Sequence, residues 1–88
     1  MRRYPASGEI NRHVPDGRRA LEVVRQRYEA SARAVDETDG VSLEFDVWRF
    51  NLRMSNTEPV VRLNVESRGD EAVMRAHTEE ILSILDAL

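Results

Sequence analysis

The sequence predicts an α+β fold: a two-layer sandwich with a mainly antiparallel sheet of about four strands and two helices on one face. Three observations carry this prediction. Apolar and polar residues alternate in runs between Val41 and Glu66, the period of half-buried strands. Segments beginning at Asp16 and at Asp70 repeat apolar residues at helical spacing instead. The connections between the central runs are short, which favours antiparallel pairing of consecutive strands.

The elements follow in order. The 88 residues suit one small domain over 1–88, with residues 1–7 expected as a linker or disordered start. Ser7-Gly8-Glu9-Ile10-Asn11 reads as a loop running into a brief strand, which Pro15 ends. Asp16 is a candidate N-cap for a helix through about Val35, with Leu21, Val24, Tyr28, Ala32 and Val35 as its apolar stripe. Arg18, Arg25, Glu29 and Arg33 lie away from that stripe, toward solvent. Asp36 to Gly40 is expected to turn, with Gly40 suited to positive φ.

Val41, Leu43 and Phe45 then alternate with Ser42, Glu44 and Asp46. After a tight turn near Asp46-Val47, Trp48, Phe50 and Leu52 share one face, and Arg49, Asn51 and Arg53 share the other. Val61, Leu63 and Val65 make a further strand, alternating with Arg62, Asn64 and Glu66. Asp70 is the N-cap candidate of the last helix, whose stripe runs through Val73 or Met74, His77, Ile81, Leu85 and Leu88.

Composition narrows the function classes. There is no cysteine, so neither disulfides nor thiolate metal sites are available. Acidic residues number 16 and basic residues 13, for a net charge of -3, whereas a nucleic-acid binder is more often basic. An RNA-binding sheet also needs exposed aromatics, and Trp48 and Phe50 are expected in the core. No apolar run approaches the ~20 residues needed to span a membrane. Met1-Arg2-Arg3 is not followed by an apolar signal core, so the expected location is cytoplasmic, with neither membrane nor nucleic acid as partner.

The segment that carries chemistry is Arg53-Met54-Ser55-Asn56-Thr57-Glu58-Pro59, between two well-patterned strands. Ser55 and Thr57 offer hydroxyls. Asn56 offers an amide and tolerates left-handed backbone angles. Successive N–H groups in such a turn can converge on an anion. Arg53 closes one strand and Arg62 lies on the next, on the same sheet face, so two guanidiniums and a hydroxyl-rich turn suit a phosphate dianion. The same residues also suit an ordinary turn, with Arg53 and Arg62 solvated or paired with Glu58 or Glu66.

The run RMSNTEP followed by VVRLNVES resembles the C-terminal phosphate-binding loop of the α-D-phosphohexomutases, whose usual form is Arg-x-Ser-Gly-Thr-Glu-Pro. Asn56 stands where glycine is common, a variant similar to the bacterial phosphomannomutase branch. The surrounding FNLRMSNTEPVVRLNVESRGD and the upstream SGEIN are similar to that branch too. The resemblance runs from about Tyr4 to the end.

The resemblance implies that Arg53, Ser55, Asn56 and Thr57 bind a substrate phosphate with help from Arg62, while Glu58 and Pro59 shape the loop. It implies a TATA-binding-protein-like topology for a domain hinged to the rest of a mutase. It also implies a phosphosugar substrate, and the phosphoserine, magnesium and sugar-recognition loops on other domains. No catalytic residue, metal ligand or cofactor is expected in this chain, which should be inactive alone. Asp36-Glu37-Thr38-Asp39-Gly40 lacks the family's repeated Asp-Gly metal pattern and reads as a turn. His77 is expected to pack against the core, and His13 has no cluster of partners. The alternative reading is a free-standing anion- or protein-binding module without enzymatic role.

Overall fold

Asp16 starts the first helix by the means its side chain suggests. In the computed structural model, which describes residues 5–37 and 40–88, its Oδ1 accepts the backbone N–H groups of Arg18 at 3.1 Å and Arg19 at 3.3 Å. These are two of the donors that a helix start leaves unpaired. The helix, α1, runs Gly17–Tyr28 and buries Ala20, Val24 and Tyr28. It is preceded by β1 (Ile10–His13) and followed by a 3₁₀ turn, Glu29–Ser31.

Here the chain departs from the predicted pattern. The helix does not reach Val35; instead Ala34–Asp36 form a short strand, β2. Arg33 N–H donates to Glu44 O at 2.7 Å, and Ala34, Val35 and Asp36 pair antiparallel with Glu44, Leu43 and Ser42 of β3 (Val41–Glu44). The free edge of β3 offers hydrogen bonds that a few more helical residues cannot match, and tertiary pairing overrides local spacing. Val35 is accordingly 44% exposed rather than part of the helix stripe.

β4 (Trp48–Met54) and β5 (Val60–Ser67) complete a five-stranded antiparallel sheet in the order β1-β5-β4-β3-β2. The α+β sandwich stands as predicted, with β2 the strand added to the expected four. Of the residues expected as linker, Met1–Tyr4 lie outside the described residues. Pro5 to Ser7 run along β5: Ser67 N–H donates to Pro5 O at 3.0 Å and Ser7 N–H to Val65 O at 2.8 Å. Thr38 and Asp39 also lie outside the described residues, so the expected turn from Asp36 to Gly40 is only partly described.

α2 (Glu71–Asp86) is capped by Asp70, whose Oδ1 accepts from Ala72 N–H at 2.9 Å and Val73 N–H at 3.4 Å. Its buried stripe is Met74, Thr78, Ile81 and Leu85. Thr78 had no place in the apolar pattern; its hydroxyl donates to Met74 O at 2.7 Å, so the polar group is satisfied inside the helix. His77 borders this stripe and stacks on Trp48 with ring centroids 3.7 Å apart. Burial lowers its pKa from the ordinary value, against an opposing pull from Glu80.

Both helices contribute to one core, in which Val24, Ile81 and Leu85 join Leu43, Phe50, Leu52, Leu63 and Val65. Tyr28 meets Phe45, Trp48 and Phe50 edge to face, and its hydroxyl hydrogen-bonds Glu80 of α2, tying the helices together. With Trp48 and Phe50 buried here, neither forms the exposed platform that base stacking requires. The opposite face of the sheet carries the polar residues.

Candidate functional site

The open face of the sheet arranges side chains in cross-strand rows. β4 and β5 pair Arg49 with Glu66, Asn51 with Asn64, and Arg53 with Arg62. The first row is a complementary ion pair, Arg49 Nε to Glu66 Oε1 at 2.7 Å. The second is a pair of neutral amides, of which Asn51 Nδ2 donates to Ser42 Oγ at 2.8 Å. The third row sets two arginines in register on adjacent strands, and like charges directly opposite are unfavourable in a sheet unless an anion or a carboxylate offsets them. This like-charged row lies beside the β4–β5 loop.

Each arginine is positioned by the alternation around it. Leu52 on one side of Arg53, and Val61 and Leu63 flanking Arg62, are fully buried, which turns both arginines onto the open face. Arg62 is further bracketed by Asn11 of β1, its partner on the other side. The Arg62 Nε is buried and has no hydrogen-bond partner among the described residues. A buried donor without an acceptor costs about 1–3 kcal/mol.

Arg53 is also held from β3. Gly40, with φ +87°, sits so close that an added Cβ would lie 2.6 Å from the Arg53 Cβ and 2.6 Å from Leu52 O. The predicted positive φ at Gly40 is present, and its close approach to Arg53 is a second reason for glycine there. That approach follows from register: Val41 opposes Leu52, so Gly40 comes opposite Arg53. Counting residues across the predicted turn near Asp46-Val47 would have revealed it.

The loop itself is braced by its own hydroxyls. Ser55 N–H donates to Val60 O at 2.9 Å, closing the loop at its base, and Val60 N–H donates to Glu58 O at 2.7 Å. Thr57 N–H donates to Ser55 Oγ at 3.3 Å, and the two hydroxyls lie 3.4 Å apart. Among the described residues only Gly8, Gly40 and Gly69 have positive φ. Asn56 therefore does not use the left-handed tolerance expected of it, and the loop is a hydroxyl-braced turn. Asn56 and Thr57 are exposed, and Ser55 is half-buried.

A cleft of about 480 Å³ opens beside this loop, lined by Arg53 and Asn56 together with Arg18, Glu22, Arg25 and Glu37. The structure thus brings Arg53 next to Arg62 in the sheet, and Arg53 with Asn56 in the cleft, while Ser55 and Thr57 brace the turn between the strands. Arg18 is exposed, as its place off the apolar stripe predicts, but the spacing of α1 gives no sign that Arg18 and Arg25 line this cleft. His13 is exposed on β1. No group of three or more His, Asp or Glu side chains among the described residues is placed to hold a metal ion. No helix among them is long and apolar enough to cross a membrane.

A two-layer α+β domain with opposed arginines and a hydroxyl-rich loop at one end of its sheet is the class defined here. Residues 9–83 match the family described as phosphoglucomutase/phosphomannomutase, C-terminal domain, and the chain belongs to that family. It is 60% identical over 82 residues to a phosphomannomutase of Escherichia coli, covering 93% of this chain and 18% of that protein. It is 40% identical over 86 residues to a phosphomannomutase of Methanocaldococcus jannaschii, covering 98% of this chain and 18% of that protein. A phosphoglucomutase/phosphomannomutase family protein of Burkholderia thailandensis shares the fold, with a TM-score of 0.71 at 22% identity over 99% of this chain and 18% of that one. The chain thus spans less than a fifth of the length of these relatives.

Proposed function

We propose that this chain is a single domain that binds the non-reacting phosphate of a hexose phosphate within a phosphomannomutase-type enzyme. The observation that carries the reading is the Arg53–Arg62 row: two arginines in register on adjacent strands beside a hydroxyl-rich loop. An anion beside this row can take charge-assisted hydrogen bonds from both arginines. Ser55, Asn56 and Thr57 supply the neutral donors around it.

The reaction served by such a clamp moves a phosphoryl group between the two ends of a hexose phosphate, as between mannose 6-phosphate and mannose 1-phosphate. One phosphate must be held while the other end reacts. A clamp that reads phosphate rather than sugar serves both orientations of the substrate and supplies the alignment that makes transfer effectively unimolecular. Closing the domain over the substrate also keeps water from the phosphoenzyme. Magnesium, phosphoserine and sugar recognition belong, in this reading, to the other domains of a cytoplasmic parent enzyme.

Amide chemical-shift titration of the 88-residue chain with mannose 1-phosphate, and separately with mannose, tests the reading. Shifts confined to Arg53 through Thr57 and Arg62, seen with the phosphate alone, are expected. Arg53→Ala should keep the fold and lose these shifts, since a hydrogen bond to a charged group contributes roughly 1.5–3 kcal/mol. Undiminished binding by that variant would remove Arg53 from the site.

A further inference from the structure

We infer that Arg18, on the first turn of α1, is a further phosphate-binding residue beside Arg53 and Asn56, a cationic wall opposite the β4–β5 loop. The inference rests on the phosphate-clamp reading above and extends it to an element that the motif does not include.

Arg18 lines the same cleft as Arg53 and Asn56. The geometry that brings it there is fixed from both sides of the loop. Gly17 packs on Met54 so closely that an added Cβ would lie 3.1 Å from the Met54 Cβ and 3.3 Å from its Sδ. At the far end of the loop, Val14 N–H donates to Pro59 O at 2.9 Å. The chain entering α1 is therefore anchored to the loop at residues 54 and 59, and Arg18 follows immediately.

Electrostatics single out Arg18 from the other groups on the α1 side. Arg25 is engaged by Glu29 at 2.5 Å and lies 3.8 Å from Glu37. Glu22 accepts a hydrogen bond from Gln26 at 3.2 Å. Asp16, the nearest carboxylate in sequence, is committed to the backbone N–H groups of Arg18 and Arg19. The Arg18 guanidinium has no partner among the described residues, while its backbone is held by the cap. It is a cation on a fixed stem, facing a cleft that already holds Arg53 and the Asn56 amide. A tetrahedral phosphate has oxygens enough for the loop and for one more guanidinium from the opposite wall.

The test compares Arg18→Ala, Arg18→Lys, Arg19→Ala and Arg53→Ala in the 88-residue chain, titrated with mannose 1-phosphate and with inorganic phosphate. Arg19→Ala removes the same charge from the adjacent position outside the cleft lining, so it reports bulk electrostatics alone. Arg18→Ala should raise Kd roughly 3- to 10-fold, a partly solvated charge-assisted contact. Arg19→Ala should change Kd less than about twofold, as a remote surface charge does, with Arg18→Lys between the two. The Arg18 Nε–Hε resonance should move on phosphate addition, a signal that a merely structural arginine would not give. If the parent chain binds and Arg53→Ala abolishes binding, but Arg18→Ala matches Arg19→Ala, the inference fails and the clamp stands. If the parent chain shows no phosphate-dependent shifts at Ser55 to Thr57, the clamp reading and this inference fall together.

Discussion

Gly40 shows how one residue links backbone strain to the site. Replacing it with alanine places a Cβ 2.6 Å from Arg53 and asks a β-carbon residue to hold φ +87°. Gly69 has a similar φ of +82° but nothing within 4 Å of an added Cβ. Gly69→Ala should therefore cost about 1 kcal/mol from conformation alone. Gly40→Ala should cost about 2–3 kcal/mol and displace Arg53, weakening phosphate binding as well; thermal melts paired with the titration separate the two. His77 offers a second prediction at this scale. Its folded-state pKa lies below the ordinary 6.5, chiefly through burial. Above pH 6.5 the ring is neutral in both states. Below it the unfolded chain takes up the proton first, so this residue's contribution to stability falls as pH drops, levelling once the folded pKa is passed. The stability difference between the parent chain and His77→Phe, which keeps the stacking on Trp48, should shift in favour of the variant from pH 7 to pH 5. No shift in that difference would mean that the ring titrates alike in both states.

At the scale of elements, the caps were the most legible signals. Asp16 and Asp70 each accept two backbone N–H groups, as their types and positions predicted. Asp70→Ala should lower stability by about 1 kcal/mol, read as a reduced denaturation midpoint with an unchanged slope. An effect much larger would implicate the Ser67 hydroxyl bond to Asp70 O as well. The end of α1 was not legible. Ala32 and Val35 continue the helical spacing beyond Tyr28, yet the chain leaves the helix to pair with β3. Periodicity records which residues are apolar, whereas the choice between helix and edge strand depends on whether an unpaired strand lies within reach. Thr78 was illegible for a different reason: an apolar pattern takes no account of the bond to Met74 O that satisfies its hydroxyl inside the helix.

Across the whole molecule, the sheet supplies one covered face and one chemical face, and stability resides in the first. Leu63 of β5 is fully buried between the helices and the neighbouring strands. Leu63→Ala should cost about 2–5 kcal/mol, and in a domain of this size each kcal/mol lowers Tm by roughly 4–8 °C. The chain covers 18% of its Escherichia coli relative, and the proposed clamp is one part of the proposed enzyme. The isolated chain should bind mannose 1-phosphate weakly and show no mutase turnover, measured by conversion of mannose 6-phosphate. Turnover by the chain alone would refute that division of labour.

The sequence by itself determined the strand and helix faces, both N-caps and the loop on which the candidate site is built. These depend on side-chain type at a fixed local spacing, and local spacing is what a sequence displays. Only the tertiary structure decided that Ala34–Asp36 become a strand, that Gly40 presses against Arg53, and that Arg18 reaches the cleft of the β4–β5 loop. Those outcomes depend on register and on which ends of separate elements meet. They are contacts between residues far apart in the chain, fixed by the packing of one core rather than by any neighbouring residue.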